Sequence, residues 1–228
     1  GGGARSTQVY APLLDALAPW IRVVAVCDPV EEHARRLADV VGARAYSSLR
    51  TLVADGIAEA ALVVTPIESH YALTVYLAEH GIHTLTETRW ASTLRQATGM
   101  RDVARTHGVL ARVAENFFRF PVDRFAQLLG DADVVGPIER IVSYGDHVGF
   151  HNCSRWLRFA GRAPRSVQAV AHEMPTIDFV AHPARPSASE RFEARFYRFD
   201  GLFVADSAAN EKGFLGRHPR PGYTEWHG

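Results

Sequence analysis

The sequence begins with GGGARS at residues 1–6, and this stretch leads directly into a segment of helical periodicity at residues 8–19. Glycines let a backbone approach a phosphate group closely, and a helix that begins there offers free N–H groups and the positive end of its dipole. The stretch contains the G-x-G of a dinucleotide-binding fingerprint, with Ser6 where a third glycine often lies. The alternative interpretation is a linker remnant.

Short apolar runs then alternate with helical patterns as far as residue 121. The apolar runs lie at 22–27, 60–65 and 83–86, and the helical patterns at 31–41 and 70–80. Gly42 and Gly81 end the two helices. Strands and helices in alternation form a parallel sheet covered on both faces. We therefore predict an α/β domain over residues 1–121, with the doubly wound parallel sheet of the Rossmann fold.

Asp28 ends the first apolar run, near the spacing from the glycines at which an acidic side chain meets the ribose hydroxyls of adenosine. A carboxylate at this place repels a 2'-phosphate. The predicted cofactor is therefore NAD, with NADP as the second option. The alternative role of Asp28 is a helix N-cap before Pro29, and the two roles are compatible.

From residue 122 the pattern changes to one helix, at 122–129, followed by strands that turn residues connect. Strands are predicted at 138–144, 167–171, 191–199 and 202–206. Asp200-Gly201 predicts a tight hairpin between the last two, and the stretch at 182–189, rich in Pro, Ala and Ser, predicts a loop. We therefore predict an α+β domain with an open, mostly antiparallel sheet over residues 122–228.

The composition excludes some classes of partner. Lys plus Arg and Asp plus Glu both number 25, so there is no excess of positive charge to bind nucleic acid. No apolar run approaches the roughly 18 residues that span a bilayer. Cys27 and Cys153 are too few and too far apart for a disulfide framework. We expect a soluble cytoplasmic protein that acts on a small molecule.

Three segments, in this order, resemble the Gfo/Idh/MocA family, named for glucose-fructose oxidoreductase and inositol dehydrogenase. TPIESH at 65–70 is similar to its T-P-x-x-x-H segment, NFFRFP at 116–121 to N-x-x-R-x-P, and GPI at 136–138 to the segment that enters the second domain. The resemblance implies a Rossmann domain, then an α/β domain with an open sheet that often serves oligomerisation. We therefore expect a homo-oligomer formed through the C-terminal sheet.

The family's E-K-P segment, which follows the fourth strand, is altered. The resemblance implies a lysine near the nicotinamide, and this chain has Thr88 there, followed by Arg89 and Trp90. A guanidinium stays protonated, so Arg89 can hold an anionic substrate but cannot relay a proton. Lys212 is the only lysine in the chain, and nothing in the sequence places it nearby. We predict Arg89 and Trp90 as substrate-binding residues.

The family's D-x-G-x-H-x-x-D motif, which supplies a catalytic histidine, is also altered. HVGFHNCS at 147–154 keeps Gly149 and His151, while His147 and Ser154 replace the acids. Because imidazole titrates near neutral pH, we predict His151 as the general acid or base, with His147 as a second catalytic candidate. Alternatively His151 packs against or caps a helix. His147 and His151 also have the spacing of two metal ligands, but without a third we predict no metal.

These observations give one leading function and two alternatives. We expect an NAD(P)-dependent oxidoreductase that moves a hydride between nicotinamide and a carbinol, carbonyl or imine of a small polar, sugar- or polyol-like substrate. The alternatives are a repurposed or inactive family member that binds the dinucleotide without redox turnover, and a scaffold module. The predicted cofactor-binding residues are Gly1, Gly3, Ala4, Arg5, Ser6, Asp28, Thr65, Pro66, His70, Glu87, Thr88 and Asn116.

The ends of the chain carry an expectation of their own. The strand that normally precedes the glycine loop is the central strand of such a sheet, and it is absent from the sequence. We expect the first domain to lack this strand and the second to be truncated after residue 228. The strand at 138–144 also runs almost directly into HVGFHNCS, so either the substrate pocket is unusually open or residues are missing there.

Overall fold

The computed structural model describes residues 1–144, 149–182, 185–208 and 223–228, with only the backbone given at 174, 176–182, 185–188, 190 and 208. The chain forms two compact units, Gly1–Ala114 and Glu115–Gly228. No helix within these described ranges is both long and apolar enough to cross a bilayer.

The first unit alternates helices and short strands. After helical turns at Ser6–Tyr10 and Ala11–Leu13 come α1 (Leu14–Leu17), β1 (Ala25–Cys27), α2 (Glu31–Val41), β2 (Arg44–Tyr46), α3 (Leu49–Ala54), β3 (Ala60–Val63), α4 (Ile67–Glu79), β4 (His83–Thr86), α5 (Leu94–Thr106) and β5 (Ala111–Val113). β1 pairs with β2, and β3, β4 and β5 form a second sheet in that order. Every pair is parallel, as predicted.

The sequence missed four of these elements: β2, α3, α5 and β5. Both strands are three residues long, which is too short for an alternating pattern to emerge. The start of α5 does carry a signal, because the Thr93 side chain accepts a hydrogen bond from the Gln96 backbone N–H. Helices cover the strands through small apolar clusters, one around Val26 and Leu37 and another around Val63 and Leu77.

The second unit is built around one mixed sheet. A 3-10 turn at Phe117–Arg119 is followed by α6 (Pro121–Asp131), β6 (Arg140–Tyr144), α7 (Gly149–Ala160), β7 (Ser166–His182), β8 (Arg185–Arg198), β9 (Phe203–Ala208) and β10 (Tyr223–His227). The strand order is β10-β6-β9-β8-β7. Only the β6–β9 pair is parallel, which confirms a mostly antiparallel sheet.

The hairpin predicted at Asp200-Gly201 is confirmed. Arg198 of β8 pairs with Phe203 of β9, and the Phe199 N–H donates to the Leu202 carbonyl at 2.8 Å. Gly201 has φ of 76°, a left-handed conformation that glycine adopts without steric cost. Phe199 and Leu202 are buried beside Trp156 of α7, so the turn also closes the core between helix and sheet.

The loop predicted at 182–189 is wrong. Strand β7 continues to His182 and β8 begins at Arg185, with Val180 opposite Pro186. Before Glu193, β8 pairs with β7 alone among the described residues. A proline in such a two-stranded extension removes little from the ladder, because one side of the strand has no neighbour among the described residues to receive an N–H. Backbone pairing therefore outweighs the low strand propensity of this composition.

Candidate functional site

The glycine stretch forms a tight turn at the carboxyl ends of β1 and β3. The Gly2 N–H donates to Asp28 Oδ2 at 2.7 Å, and the Ser6 hydroxyl donates to the Gly1 carbonyl at 2.6 Å. A Cβ on Gly1 would lie 2.5 Å from the Val64 carbonyl oxygen, whereas a Cβ on Gly3 would meet no atom within 4 Å. The turn is therefore packed against the strands on one side and open at Gly3.

Asp28 is buried and holds two backbone groups. Besides Gly2, it accepts a hydrogen bond from the Val30 N–H through Oδ1 at 2.9 Å. Burial by itself would raise the pKa of Asp28, but the hydrogen bonds from Gly2 and Val30 outweigh burial and lower this pKa. The carboxylate thus stabilises the turn at neutral pH, and this contribution is lost as the pH falls through the folded pKa.

The alternative of Asp28 as a helix N-cap is not what the structure shows. The N-cap of α2 is Val30, and its side chain makes no capping hydrogen bond. Asp28 instead bonds the N–H two residues ahead, which is an Asx turn. An ionised carboxylate has about four acceptor positions, so both oxygens can still accept from a diol.

Glu87, at the end of β4, joins the glycine turn to a third strand. Its Oε1 accepts from Arg5 Nε and from the Tyr10 hydroxyl, both at 2.8 Å, and its Oε2 accepts from the Thr88 N–H at 2.8 Å. Burial opposes ionisation of Glu87, but the bonds from Arg5, Tyr10 and Thr88 prevail and lower its pKa. Burial, with the Glu87 bond, raises the pKa of Tyr10 to about 12.

His70 links the segments that follow β3 and β4. It is 1% exposed, and its two ring nitrogens lie 2.9 Å from the backbone oxygens of Thr65 and Arg89. Pro66, just before α4, is exposed, and the Thr88–Arg89 peptide bond is cis. His70 therefore lies at the predicted site, but its ring contacts the backbone of the two segments. Its role is to connect these two segments.

The predicted residues of the first unit converge at the carboxyl ends of its strands. Hydrogen bonds connect Gly1, Arg5, Ser6, Asp28, Thr65, His70, Glu87 and Thr88 to partners at this edge. Ala4 is exposed on the turn, and the buried indole nitrogen of Trp90 has no acceptor among the described residues. Asn116 belongs to the second unit, where it is exposed at the start of the 3-10 turn.

Sequence reasoning missed Tyr10 at this edge. It lies inside the helical pattern at 8–19, where an aromatic residue most often belongs to a helix packing face. Its hydroxyl instead reaches Glu87, 77 residues away in the chain. No local signal in the sequence marks such a contact.

In the second unit, His151 lies in the first turns of α7 and has a close carboxylate partner. Its Nδ1 is 2.7 Å from Glu115 Oε2, and the two side chains are 15% and 10% exposed. The Phe117 ring stacks on the imidazole, with centroids 3.9 Å apart and planes at 29°. The Ser154 hydroxyl donates to the His151 carbonyl at 2.7 Å. Glu115 is a residue that sequence reasoning missed.

The second catalytic candidate, His147, lies outside the described residues. Across the described ranges, no three His, Cys, Asp or Glu side chains are grouped closely enough to hold a metal ion.

Buried polar contacts fix the position of α7 on the sheet. Arg155 Nε donates to Asp123 Oδ1 of α6 at 2.8 Å, and Asn152 Nδ2 donates to Asp206 Oδ1 of β9 at 3.2 Å. Arg195 of β8 bonds the other Asp206 oxygen at 3.0 Å. Burial raises the pKa of Asp206. These contacts fix the backbone of α7, the helix that carries His151.

A parallel α/β unit with a glycine turn bound to a carboxylate, followed by an open mixed sheet, defines a two-domain dinucleotide-binding protein. The sequence model of the GFO_IDH_MocA family, described as an oxidoreductase family with an NAD-binding Rossmann fold, matches residues 1–115. This is half of the chain, and the protein belongs to that family. The resemblance noted in the sequence and the NAD prediction are confirmed.

Many solved structures share the fold. An NAD-binding oxidoreductase from Klebsiella pneumoniae is 21% identical with a TM-score of 0.80, and the match covers all of this chain and 69% of that one. An oxidoreductase from Thermotoga maritima is 16% identical with a TM-score of 0.82, over all of this chain and 74% of that one. UDP-N-acetylglucosamine 3-dehydrogenase from Acidithiobacillus ferrooxidans is 16% identical with a TM-score of 0.72, over 97% and 71%. A search of curated protein sequences gives no match.

The residues of the first unit fit the cofactor of the family. The turn is open at Gly3, where a pyrophosphate needs close approach to the backbone, and the Asp28 carboxylate lies at the end of the neighbouring strand. Gly1, Gly3 and Ser6 would hold the pyrophosphate, and Asp28 the adenosine ribose.

Asp28→Ser is expected to shift the preference from NADH towards NADPH. The change removes the negative charge that a 2'-phosphate would meet, so the ratio of the two dissociation constants should move by about tenfold or more, which is about 1.4 kcal/mol. Fluorescence titration of the variant with each nucleotide measures this ratio. The matched control is Asp39→Ser, an exposed carboxylate on α2. An unchanged ratio in Asp28→Ser would remove Asp28 from the ribose site.

Proposed function

We propose that this protein is an NAD-dependent oxidoreductase that transfers a hydride between nicotinamide and a carbinol, carbonyl or imine of a small polar, sugar- or polyol-like substrate. The observation that carries the proposal is the Asp28 carboxylate held on the open glycine turn, in a unit that matches an NAD-binding oxidoreductase family. NAD, when bound, supplies the hydride acceptor or donor.

The proton that accompanies the hydride is assigned to His151. When a carbinol is oxidised, its hydroxyl proton must go to a base. Imidazole suits this task because it titrates near neutral pH. The lysine that the family resemblance implies for this work is replaced by Thr88, whose hydroxyl is too weak an acid and too weak a base to replace it at neutral pH. The Glu115 contact supports His151 in this role, because a nearby carboxylate stabilises the imidazolium that forms.

The proposed substrate class draws on the activities and ligands of structural neighbours. One of them is UDP-N-acetylglucosamine 3-dehydrogenase, and another is a dehydrogenase in complex with NADH and UDP-GlcNAcA. Both names describe sugar derivatives that carry an anionic group. Arg89, which is exposed, is proposed to pair with such an anion.

Nucleotide binding and turnover are tested in one experiment. The protein is titrated with NADH and NADPH by fluorescence, and sugars, polyols, sugar nucleotides and imines are then screened for an absorbance change at the nicotinamide band. We expect NADH to bind and at least one polar carbinol to be oxidised. If neither nucleotide binds, both the cofactor site and the proposed activity are wrong.

The second candidate is a family member that binds the dinucleotide without redox turnover. The replacement of the expected lysine by Thr88 favours it, since the resemblance implies that this lysine orients the substrate or passes a proton; Ser154 in place of the motif's second acid is a further departure from the family pattern. The two candidates differ in a single result of the same screen: tight NADH binding without a change in nicotinamide absorbance for any substrate supports the second.

A further inference from the structure

Glu115 and His151 form a shielded carboxylate–imidazole pair inside the second unit. We propose that Glu115 is a positioning residue: it holds the His151 ring in the tautomer that carries its proton on Nδ1, so that Nε2 presents the lone pair that takes the substrate proton. The proposal deepens the function proposed above and rests on it for its catalytic part. The tautomer itself does not depend on that function.

The direction of the hydrogen bond follows from the chemistry of the two groups. His151 Nδ1 lies 2.7 Å from Glu115 Oε2, within the range of a charge-assisted bond. A carboxylate has no proton to give, so Nδ1 must be the donor. A neutral imidazole has only one N–H. When neutral His151 donates from Nδ1 to Glu115, its Nε2 therefore has no hydrogen and carries a lone pair.

The surroundings hold both partners in place. The Phe117 backbone N–H donates to Glu115 Oε1 at 3.0 Å, which leaves Oε2 to face the histidine. The ring of the same Phe117 stacks on the imidazole at 3.9 Å. The Phe150 ring lies 4.2 Å from it, centroid to centroid. With side-chain exposures of 15% and 10%, water competes little for the pair, which strengthens the bond.

Glu115 also supplies a carboxylate that the histidine motif of this chain lacks. Ser154, which stands at one acidic position of that motif, donates its hydroxyl to the His151 carbonyl at 2.7 Å, a contact with the backbone rather than with the ring. Glu115 lies 36 residues before His151 and brings a carboxylate to the ring from a different element. In many proton-transfer sites, a carboxylate binds one ring nitrogen of a histidine while the other nitrogen takes the substrate proton.

The tautomer is tested directly by NMR of protein labelled with ¹⁵N-histidine, at a pH where the ring is neutral. His151→Ala identifies the signal of His151 among the 11 histidines. In the unmodified protein we expect the Nδ1–H form, which is the minor tautomer of a free histidine side chain in water. In Glu115→Gln we expect the signal to move towards Nε2–H. An Nε2–H ring in the unmodified protein, or ring shifts that Glu115→Gln leaves unchanged, would overturn the proposal.

The catalytic part is tested by kinetics. Glu115→Gln should lower kcat by about 10- to 100-fold, a share of what a general base contributes, with KM within about threefold and NADH affinity unchanged. Glu115→Asp should restore part of the loss, which also excludes misfolding as its cause. The matched control is Glu225→Gln, since Glu225 contacts His227 at 3.3 Å in an exposed pair. A kcat equal to that of the control variant would contradict the positioning role.

The oxidoreductase function and the positioning role of Glu115 are contradicted by different results. If the unmodified protein shows no turnover, the proposed oxidoreductase function is wrong and the NMR result still decides whether Glu115 sets the tautomer. If turnover is present and the tautomer does not depend on Glu115, the positioning role is wrong and the oxidoreductase function stands.

Discussion

His151→Ala is expected to lower kcat by about 10²- to 10⁴-fold, the range that general acid–base catalysis contributes, and to leave NADH affinity within about twofold. The loss follows because alanine has no group that accepts a proton. The His151 contacts described here all lie within the second unit, and the glycine turn and Asp28 belong to the first. Steady-state kinetics with the substrate found in the screen, together with fluorescence titration of NADH, measures the two effects.

His227→Ala is the matched control for this substitution. His227 is also in the second unit and also contacts a carboxylate, that of Glu225, but its side chain is 38% exposed, against 15% for His151. We expect the control to keep kcat within about twofold, the usual effect of a surface substitution. If His151→Ala retains the kcat of the control, the proton is handled elsewhere and His151 has no part in the chemistry.

Gly2→Ala is expected to damage both the fold of the first unit and its cofactor site. A Cβ on Gly2 would lie 2.3 Å from the His33 carbonyl oxygen and 2.7 Å from its carbon, which are backbone atoms of α2. The turn must shift and strain its bond to Asp28. We expect the free energy of unfolding to fall by about 1–3 kcal/mol, with Tm lower by roughly 3–9 °C. NADH should bind at least about tenfold more weakly, or about 1.4 kcal/mol.

Gly3→Ala separates packing from cofactor approach at the neighbouring position. Its Cβ would meet nothing within 4 Å, so unfolding should change by no more than about 0.5 kcal/mol. NADH affinity should nevertheless fall, because the methyl group would stand where the pyrophosphate approaches the backbone. Thermal melts and NADH titrations of both variants distinguish the two roles. Normal stability of Gly2→Ala, or normal affinity of Gly3→Ala, would contradict the roles given to these glycines.

Much of the fold could be predicted because the deciding signals are local. The bounds predicted for α2 and β4 match the structure, since the periodicity at 31–41 and the run at 83–86 each end at a clear change of pattern. The Asp200-Gly201 hairpin followed from two residues. The 182–189 loop was wrong because its composition describes the segment alone, whereas its strand exists through pairing with β7.

In the candidate site too, features with a local signal were predicted and long-range contacts were not. Asp28 and the glycine turn were found from spacing, because the carboxyl ends of neighbouring parallel strands meet at one edge of a sheet. The local partners of these residues were not found. Glu87 binds Arg5 and Tyr10, which lie 82 and 77 residues away, and no pattern in the sequence relates them.

The sequence by itself determined the alternation of helices and strands in the first unit, the family, the glycine turn beside Asp28 and the candidacy of His151. Only the tertiary structure paired His151 with Glu115, set Glu87 against Arg5 and turned His70 towards two backbone carbonyls. The patterns that predict helices and strands arise from residues close together in the chain, and their spacing can be read directly from the sequence. A hydrogen bond between side chains distant in sequence needs both backbones placed within about 3 Å, and only the packed chain fixes that distance.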